Sequence, residues 1–114
     1  MTTFRRGDVY YVRFLFTNKV AAKNRPSVVV SSDDFHASRD DVIIAGVTSN
    51  LEQTHFVGHV ELADWEQEGL RQPSAVSGIL MTVRSSVLGD RVGSLSSSDL
   101  QLLDQALKDS LGLS

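Results

Sequence analysis

The 114-residue sequence contains no cysteine, so disulfide bonds and metal sites built on thiolate ligands are excluded. This absence agrees with a reducing compartment, and we expect a cytoplasmic protein. The chain also lacks a long hydrophobic run. Its first residues alternate polar and apolar side chains instead of forming the apolar core of a signal peptide, and no later segment is long enough to cross a bilayer. We therefore expect a soluble protein without a membrane partner.

Common signatures of catalysis and cofactor binding are missing as well. The three histidines, His36, His55 and His59, lack the spacing of metal ligands relative to nearby carboxylates, and we interpret them as surface or strand-edge residues. No glycine-rich loop follows a strand to hold a phosphate, and no serine stands in the strand–turn–helix context of a hydrolase. The sequence predicts neither a metal site nor an organic cofactor.

Charge is divided unevenly along the chain. The formal net charge is −3, which argues against a general nucleic-acid binder. Residues 1–25 hold six basic residues and one acidic residue, whereas residues 26–114 hold five basic and thirteen acidic residues. Such an asymmetry can direct one basic surface towards phosphates while the rest of the protein stays acidic. The alternative is a solvated basic edge that binds nothing.

The length favours a single domain, residues 1–114, which buries enough surface to fold without cross-links. Short runs of β-branched and aromatic residues, separated by turn residues, predict a mainly β structure. We expect a loop over Thr17–Asn24, a short helix or a loop over Leu62–Leu70, and turns at Gly89-Asp90 and Gly93. The predicted strands are Val9–Phe16, Ser27–Ser31 (opened by Pro26 and buried on both faces), Val42–Val47, His55–Glu61 and Ser74–Arg84.

The C-terminal segment has the clearest helical pattern. Ser96 is a suitable N-cap, and Asp99 predicts a capping box with aspartate in place of the usual glutamate. A helix end is expected at Gly112, and a shorter helical turn over Phe35–Arg39 follows the cap-like residues 32–34. One apolar stripe comprises Leu100, Leu103, Ala106, Leu107 and Leu111. These elements predict a compact, mostly antiparallel β-barrel or half-barrel with one terminal helix.

Polar side chains stand at the ends of two valine-rich strands. Arg25 precedes one strand, and Thr48, Ser49 and Asn50 follow the other. If the strands are neighbours, a guanidinium meets hydroxyl and amide groups at one rim. Such a rim suits a phosphodiester, because the planar fork of arginine matches phosphate geometry. The alternative is a surface cation on one strand and ordinary turn residues on the other.

Several segments of the sequence form one ordered pattern: Gly7-Asp8-Val9-Tyr10, Asn24–Ser31, Ile43–Asn50, Pro73-Ser74-Ala75-Val76, Met81-Thr82-Val83, Gly93-Ser94-Leu95 and the helix from Ser96. In order and spacing they resemble the MazF/PemK (Kid) family of type II toxin–antitoxin endoribonucleases. The resemblance implies an SH3-like barrel of the type shared with CcdB toxins, and a homodimer that binds single-stranded RNA across its interface. It also implies metal-independent cleavage that leaves a cyclic phosphate and a 5′-hydroxyl.

The resemblance assigns catalytic roles to Arg25 and Thr48. Loop 18–24 carries no carboxylate and no histidine, and Ser77 and Gly78 stand where some relatives have an arginine and an aspartate. The sequence therefore names no general base. Ser49 lies at a position that contacts RNA in the family. Further expected RNA contacts are Lys19 and Lys23, which are otherwise solvated loop cations, together with Asn50 and Thr82.

The implied partners are single-stranded RNA, a second copy of the chain and an antitoxin. We expect an acidic, flexible antitoxin tail that competes with RNA for the basic surface, with DNA contacted only through the antitoxin. The alternative function is a non-catalytic interaction module on the same barrel, or a protein-targeting toxin of the CcdB type. Core packing rather than base stacking is the preferred role of the aromatic residues Phe14, Phe16, Phe56 and Trp65.

Overall fold

A computed structural model describes residues 4–15, 22–52 and 55–114. Helix α1 (Asp33–Ser38) lies between the second and third strands, and helix α2 (Ser97–Leu111) follows the last strand. A short 3₁₀ turn, Ser85–Val87, joins the last two strands. The strands of the described chain are β1 (Asp8–Leu15), β2 (Ala22–Val29), β3 (Asp41–Thr48), β4 (Val60–Glu61), β5 (Ala75–Arg84) and β6 (Leu88–Ser94).

The strands form one antiparallel sheet in the order β4-β5-β3-β2-β1-β6. Strand β2 lies between β1 and β3. Val28 and Val29 point to opposite faces of the sheet, and both are 0% exposed. The predicted burial of this run on both faces is therefore confirmed.

Each face of the sheet carries its own apolar core. On one side, which we call the α2 face, Val28, Ala45 and Val76 pack with Leu103 of α2. The opposite side, which we call the Ile44 face, buries Val12, Val29, Val42 and Ile44 under Phe4, Tyr10, Val83 and Leu88. Because side chains alternate along a strand, the face of any residue follows from its register.

Helix α2 confirms part of its predicted capping and contradicts the rest. The Ser96 hydroxyl accepts a hydrogen bond from the Asp99 amide at 3.2 Å, and Gly112 ends the helix with φ +71°. The Asp99 carboxylate, however, does not bond back to the Ser96 amide. That amide donates to Glu68 Oε2 at 2.8 Å. The predicted capping box is wrong because a glutamate from a distant loop occupies the place of the local acid.

Three element predictions are also corrected. The strand predicted over His55–Glu61 is present only as Val60–Glu61. The turns predicted at Gly89-Asp90 and Gly93 lie inside β6. A Cβ at Gly93 would lie 2.3 Å from the Glu68 carbonyl oxygen, so this glycine permits a close backbone approach instead of forming a turn. Leu62–Leu70 adopts the loop alternative, held by turn bonds such as Leu70 N to Trp65 O at 3.0 Å.

The aromatic and apolar predictions have mixed outcomes. Trp65 packs against the core of the α2 face as expected, whereas Phe56 is 51% exposed. Leu111, predicted within the helical stripe, is 56% exposed at the end of α2. The Phe14 side chain and Phe16 lie outside the described residues. None of the described helices has the length and apolar character needed to cross a bilayer.

Candidate functional site

Strand pairing brings the two predicted catalytic residues towards the same end of the β2–β3 ladder. Strands β2 and β3 pair with the register Ser27↔Gly46 and Val28↔Ala45. Continuing this register by two residues places Arg25 opposite Thr48. Opposite residues of an antiparallel pair share a face, so both side chains belong to the Ile44 face. The predicted neighbourhood of the two strands is therefore correct.

Pro26 opens the sheet at this position. The Val30 amide donates to the Ile43 carbonyl at 2.9 Å, so alternate residues of β2, including position 26, direct their amides towards β3. Proline has no N–H and cannot extend this ladder, which ends at Ser27↔Gly46. Strand β2 stays paired with β1 through Val12↔Arg25. The Arg25 backbone is thus held on one side while its other side faces an opening.

Thr48 and Asn50 combine turn geometry with donor groups that have no partner among the described residues. The Asn50 amide donates to Thr48 Oγ1 at 3.1 Å, and the Glu52 amide donates to Asn50 Oδ1 at 3.0 Å. These bonds occupy acceptor atoms only. The Thr48 hydroxyl hydrogen and the Asn50 side-chain NH₂ therefore remain able to donate to a phosphate. Arg25, Ser49 and Asn50 are exposed and Thr48 is half-buried, which leaves the rim accessible.

Two serines form the floor of this region. Ser27 is 0% exposed, and its Oγ has no hydrogen-bond partner among the described residues. Ser77 Oγ donates to the Gly46 carbonyl at 3.0 Å and accepts from the Ile79 amide at 3.3 Å. Ser77 therefore supports the backbone of β3 and carries no charge towards the opening.

A carboxylate that the sequence did not single out lies in the same row of the sheet. Thr48 pairs with Ala75, and Ala75 pairs with Glu61 on the edge strand β4. Val60 and Val76 belong to the core of the α2 face, so alternation assigns Glu61 to the Ile44 face with Arg25 and Thr48. Two strand spacings, roughly 10 Å between Cα atoms, separate Glu61 from Thr48. Only the strand register reveals this relation, because the two residues are distant in sequence.

The remaining predicted RNA contacts fall elsewhere. Thr82 pairs with Ile43, five residues before Thr48 along β3 and roughly 16 Å away at the usual rise of a strand. Its register also assigns it to the α2 face, so one chain does not bring Thr82 to the rim. Lys23 lies in β2 opposite Phe14, which corrects the loop predicted there, but its side chain is outside the described part. Lys19 is outside the described residues.

A second polar cluster joins the loop before β5 to the start of α2. Carboxylate oxygens of Asp64, Glu68 and Asp99 lie within 4.8 Å of one another. The Asp99 oxygens accept the amides of Ala63 and Asp64 at 3.2 and 3.0 Å. Burial raises the pKa of Glu68 to about 7; the Ser96 amide opposes the rise and the Asp99 carboxylate adds to it. A proton on Glu68 therefore removes one of the three negative charges of the cluster.

This cluster makes stability depend on pH in an unusual direction. Because folding raises the Glu68 pKa from 4.5 to about 7, the folded state binds the extra proton and loses stability as pH rises through this window. The contribution to the free energy of unfolding should fall by up to about 3 kcal/mol. Glu68→Gln, which stays neutral, should therefore be more stable than the wild type at pH 8 but not at pH 4.

Urea unfolding at both pH values measures this difference. Glu66→Gln is the control because Glu66 is exposed two residues earlier in the same loop. If the difference in free energy of unfolding between the wild type and Glu68→Gln is the same at pH 4 and pH 8, the assignment of the proton to Glu68 is contradicted.

Comparison with known proteins gives a consistent match. Residues 5–111 match the family of PemK-like, MazF-like toxins of type II toxin–antitoxin systems. The endoribonuclease MazF6 of Mycobacterium tuberculosis is 33% identical over 93 residues, which cover 81% of this chain and 82% of the relative. The endoribonuclease MazF2 of Mycobacterium bovis has the same identity and coverage.

Solved structures show the same architecture. The Mycobacterium tuberculosis toxin MazF-mt6 superimposes with a TM-score of 0.75 at 21% identity, covering 94% of this chain and 98% of that chain. A mycobacterial endoribonuclease solved with its cognate antitoxin gives 0.78 at 20% identity, with 98% of each chain covered. A chain of MazE–MazF from Deinococcus radiodurans gives 0.78 at 16% identity, covering 99% and 100%. The predicted fold class, mainly β with a C-terminal helix in a barrel of this type, is confirmed.

Proposed function

Because the chain belongs to the PemK-like, MazF-like toxin family of type II toxin–antitoxin systems, we propose that it is a toxin that cleaves single-stranded RNA in the cytoplasm. The observation that carries the proposal is the register that places Arg25 opposite Thr48, beyond the last ladder pair between β2 and β3. The naming of its relatives as endoribonucleases supports the same activity.

The proposed reaction uses a nucleophile that belongs to the substrate. The ribose 2′-oxygen attacks the adjacent phosphorus, a new P–O2′ bond forms, and the P–O5′ bond breaks. The products are a 2′,3′-cyclic phosphate and a 5′-hydroxyl, whose proton comes from water. Arg25 pairs with the non-bridging oxygens and stabilises their growing charge, and the Thr48 hydroxyl donates to the same phosphate. This route requires no metal, since no external nucleophile has to be activated.

Glu61 supplies the general base that the sequence lacked. It is exposed on the edge strand β4, in the row Glu61–Ala75–Thr48, and the Ala75 between them is buried. A phosphodiester held by Arg25 and Thr48 would then direct its ribose towards β4, where a carboxylate can accept the 2′-hydroxyl proton. A positioned base of this kind contributes about 10²–10⁴-fold to a rate.

RNA binding beyond the scissile phosphate involves the basic N-terminal region and the turn after β3. Ser49 and Asn50 offer donors at the rim, and Lys19 and Lys23 add phosphate contacts that raise affinity without reading bases. Thr82 would reach RNA bound to a second protomer. Ile79 and Met81 of β5, which are 68% and 44% exposed, are apolar side chains that a homodimer would cover.

The proposed protein partner is an antitoxin with an acidic, flexible tail. Such a tail complements the excess of basic over acidic residues in positions 1–25 and competes with RNA for the same surface. Its ordering on binding costs free energy, which makes the inhibition reversible when the antitoxin is degraded. Any contact with DNA would be made through the antitoxin.

Cleavage in the presence of EDTA tests the proposal. The pure protein should cut a long single-stranded RNA at defined sites with excess EDTA present, and end-group analysis should find cyclic phosphates and 5′-hydroxyls. The same sequence annealed into a duplex should remain uncut. Absence of cleavage would favour the non-catalytic module, and EDTA-sensitive cleavage with 5′-phosphate ends would contradict the mechanism.

A further inference from the structure

A cavity of about 950 Å³ opens on the protein near the candidate site. It lies between helix α1, Phe4 of the N-terminal segment, Tyr10 of β1 and the segment that joins β5 to β6. Phe4, Tyr10, His36 and Leu88 form its inner wall, and Ala37 and Ser86 stand at its rim. The volume is in the upper part of the range that small-molecule sites occupy.

The strand register connects this cavity to Arg25. Leu88 pairs with Val12, and Val12 pairs with Arg25, so two strand spacings separate the cavity wall from the guanidinium. Tyr10 pairs with Ser27, which follows Arg25 by two residues on the same face. Tyr10 and Leu88 both pack on the core of the Ile44 face. The cavity and the phosphate rim therefore share one face of the sheet, at a separation that a nucleotide adjoining the cleaved phosphate spans.

The walls combine aromatic rings with a buried polar atom that lacks a partner. His36, which the sequence predicted to lie at the surface or at a strand edge, is instead buried at 3% exposed, and its Nδ1 makes no hydrogen bond within residues 4–15, 22–52 and 55–114. Its Nε2 lies 2.6 Å from Ser31 Oγ, which fixes the ring. The His36 ring also packs edge-on against Phe4, with 4.5 Å between centroids. Burial lowers the pKa of His36, so the ring stays neutral and Nδ1 can bond to an uncharged ligand.

The charge of the cavity favours a base over a phosphate. Arg39 and Asp40 both line it, so their charges offset each other. The Arg39 guanidinium is already paired with Asp41 at 3.0 Å and lies 4.9 Å from the centre of the Phe35 ring. An anion would find no unpaired cation in this described lining. A flat, neutral, hydrogen-bonding ligand matches the rings and the hydroxyl groups at Ser85 and Ser86.

We propose that the cavity between Tyr10, His36 and Ser86 binds one unpaired nucleobase of the RNA, adjacent to the phosphate held by Arg25. The base stacks on an aromatic wall and bonds through its edge to His36 Nδ1. The inference rests on the proposed ribonuclease function and adds to it a position at which the enzyme reads its substrate.

Filling the cavity from its exposed rim tests this assignment. Ala37→Trp should weaken binding of a single-stranded RNA that carries a 2′-O-methyl group at the mapped cleavage site, which prevents attack. The expected loss is about 5- to 150-fold, the range for removal of one base stack. Gln101→Trp, an equally exposed substitution on helix α2, should bind as the wild type does. Ser86→Trp approaches from the opposite rim and repeats the test if Ala37→Trp fails to fold.

An abasic scan separates base binding from a general disturbance. Removing single bases around the cleavage site should reveal one position at which the wild type loses affinity by the same factor. Ala37→Trp should show no further loss at that position, because the two changes remove one interaction. The proposal would be overturned if both tryptophan variants bound RNA with wild-type affinity. It would also be overturned if the loss from Ala37→Trp and the loss from the abasic position were fully additive. The same holds if a variant changed the oligomeric state and left the abasic profile unchanged.

The two levels of the proposal fail differently. If the wild type does not cut RNA, the ribonuclease function is wrong. If it cuts RNA and both cavity variants bind with wild-type affinity, only the base site is wrong.

Discussion

Arg25→Ala should reduce cleavage of single-stranded RNA by at least about 10²–10³-fold, the usual loss when one preorganised donor to a developing oxyanion is removed. Arg25 and Thr48 lie two residues beyond the last β2–β3 ladder pair, Ser27↔Gly46, and the uncharged alanine cannot pair with a phosphate there. Arg25→Lys should fail as well, because an ammonium does not reproduce two parallel hydrogen bonds. Single-turnover cleavage of a labelled RNA containing the mapped site measures both variants.

Folding is the matched control for this prediction. Arg25 is exposed, so its removal should leave the melting temperature and the oligomeric state unchanged. Arg71→Ala, which removes an exposed arginine from the loop before β5, should cut at the wild-type rate. Wild-type cleavage by Arg25→Ala would end the assignment of the rim as the active site.

Glu61→Gln should lower the single-turnover rate by about 10²–10⁴-fold while leaving RNA affinity nearly unchanged. The amide is similar in size to the carboxylate but cannot accept the 2′-hydroxyl proton. The variant should also lose the rise in rate with pH that deprotonation of a general base produces. A residue that merely supported the edge strand β4 would change affinity or stability instead, so the pH–rate profile separates the two roles.

Glu52 provides the comparison for Glu61. It is exposed, follows the turn at Asn50, and is a described carboxylate close in sequence to the rim. Glu52→Gln should retain the wild-type rate and pH dependence. A normal rate in Glu61→Gln together with a slow Glu52→Gln variant would transfer the base to the turn after β3.

The elements whose signals are local were predictable from the sequence. The valine run of β2, the cap at Ser96 and the stop at Gly112 depend on side chains within a few residues of each other, and all three occur as expected. Arg25 and Thr48 could be selected from the sequence for a similar reason, since each stands at the end of a predicted strand. The prediction that these two strands are neighbours is confirmed.

Features that depend on register or on distant backbone contacts were not predictable. Glu61 joins the row of Thr48 through Ala75, and pairing across three strands leaves no trace in local composition. Glu68 replaces Asp99 at the helix cap because its loop, Leu62–Leu70, folds back onto the start of α2. Gly93 has the appearance of a turn residue, yet its role is to admit the Glu68 carbonyl, and only the packed structure shows which role applies.

One consequence of Pro26 concerns what keeps β2 and β3 apart at Arg25. Two adjacent antiparallel strands gain backbone hydrogen bonds with each further residue pair, so their pairing tends to extend along the strands. Pro26 has no N–H to donate at the next residue pair. The separation of β2 from β3 at Arg25 therefore requires neither inserted residues nor a bulky side chain between the strands. The gap is therefore a property of the β2 backbone itself and is present without any bound ligand.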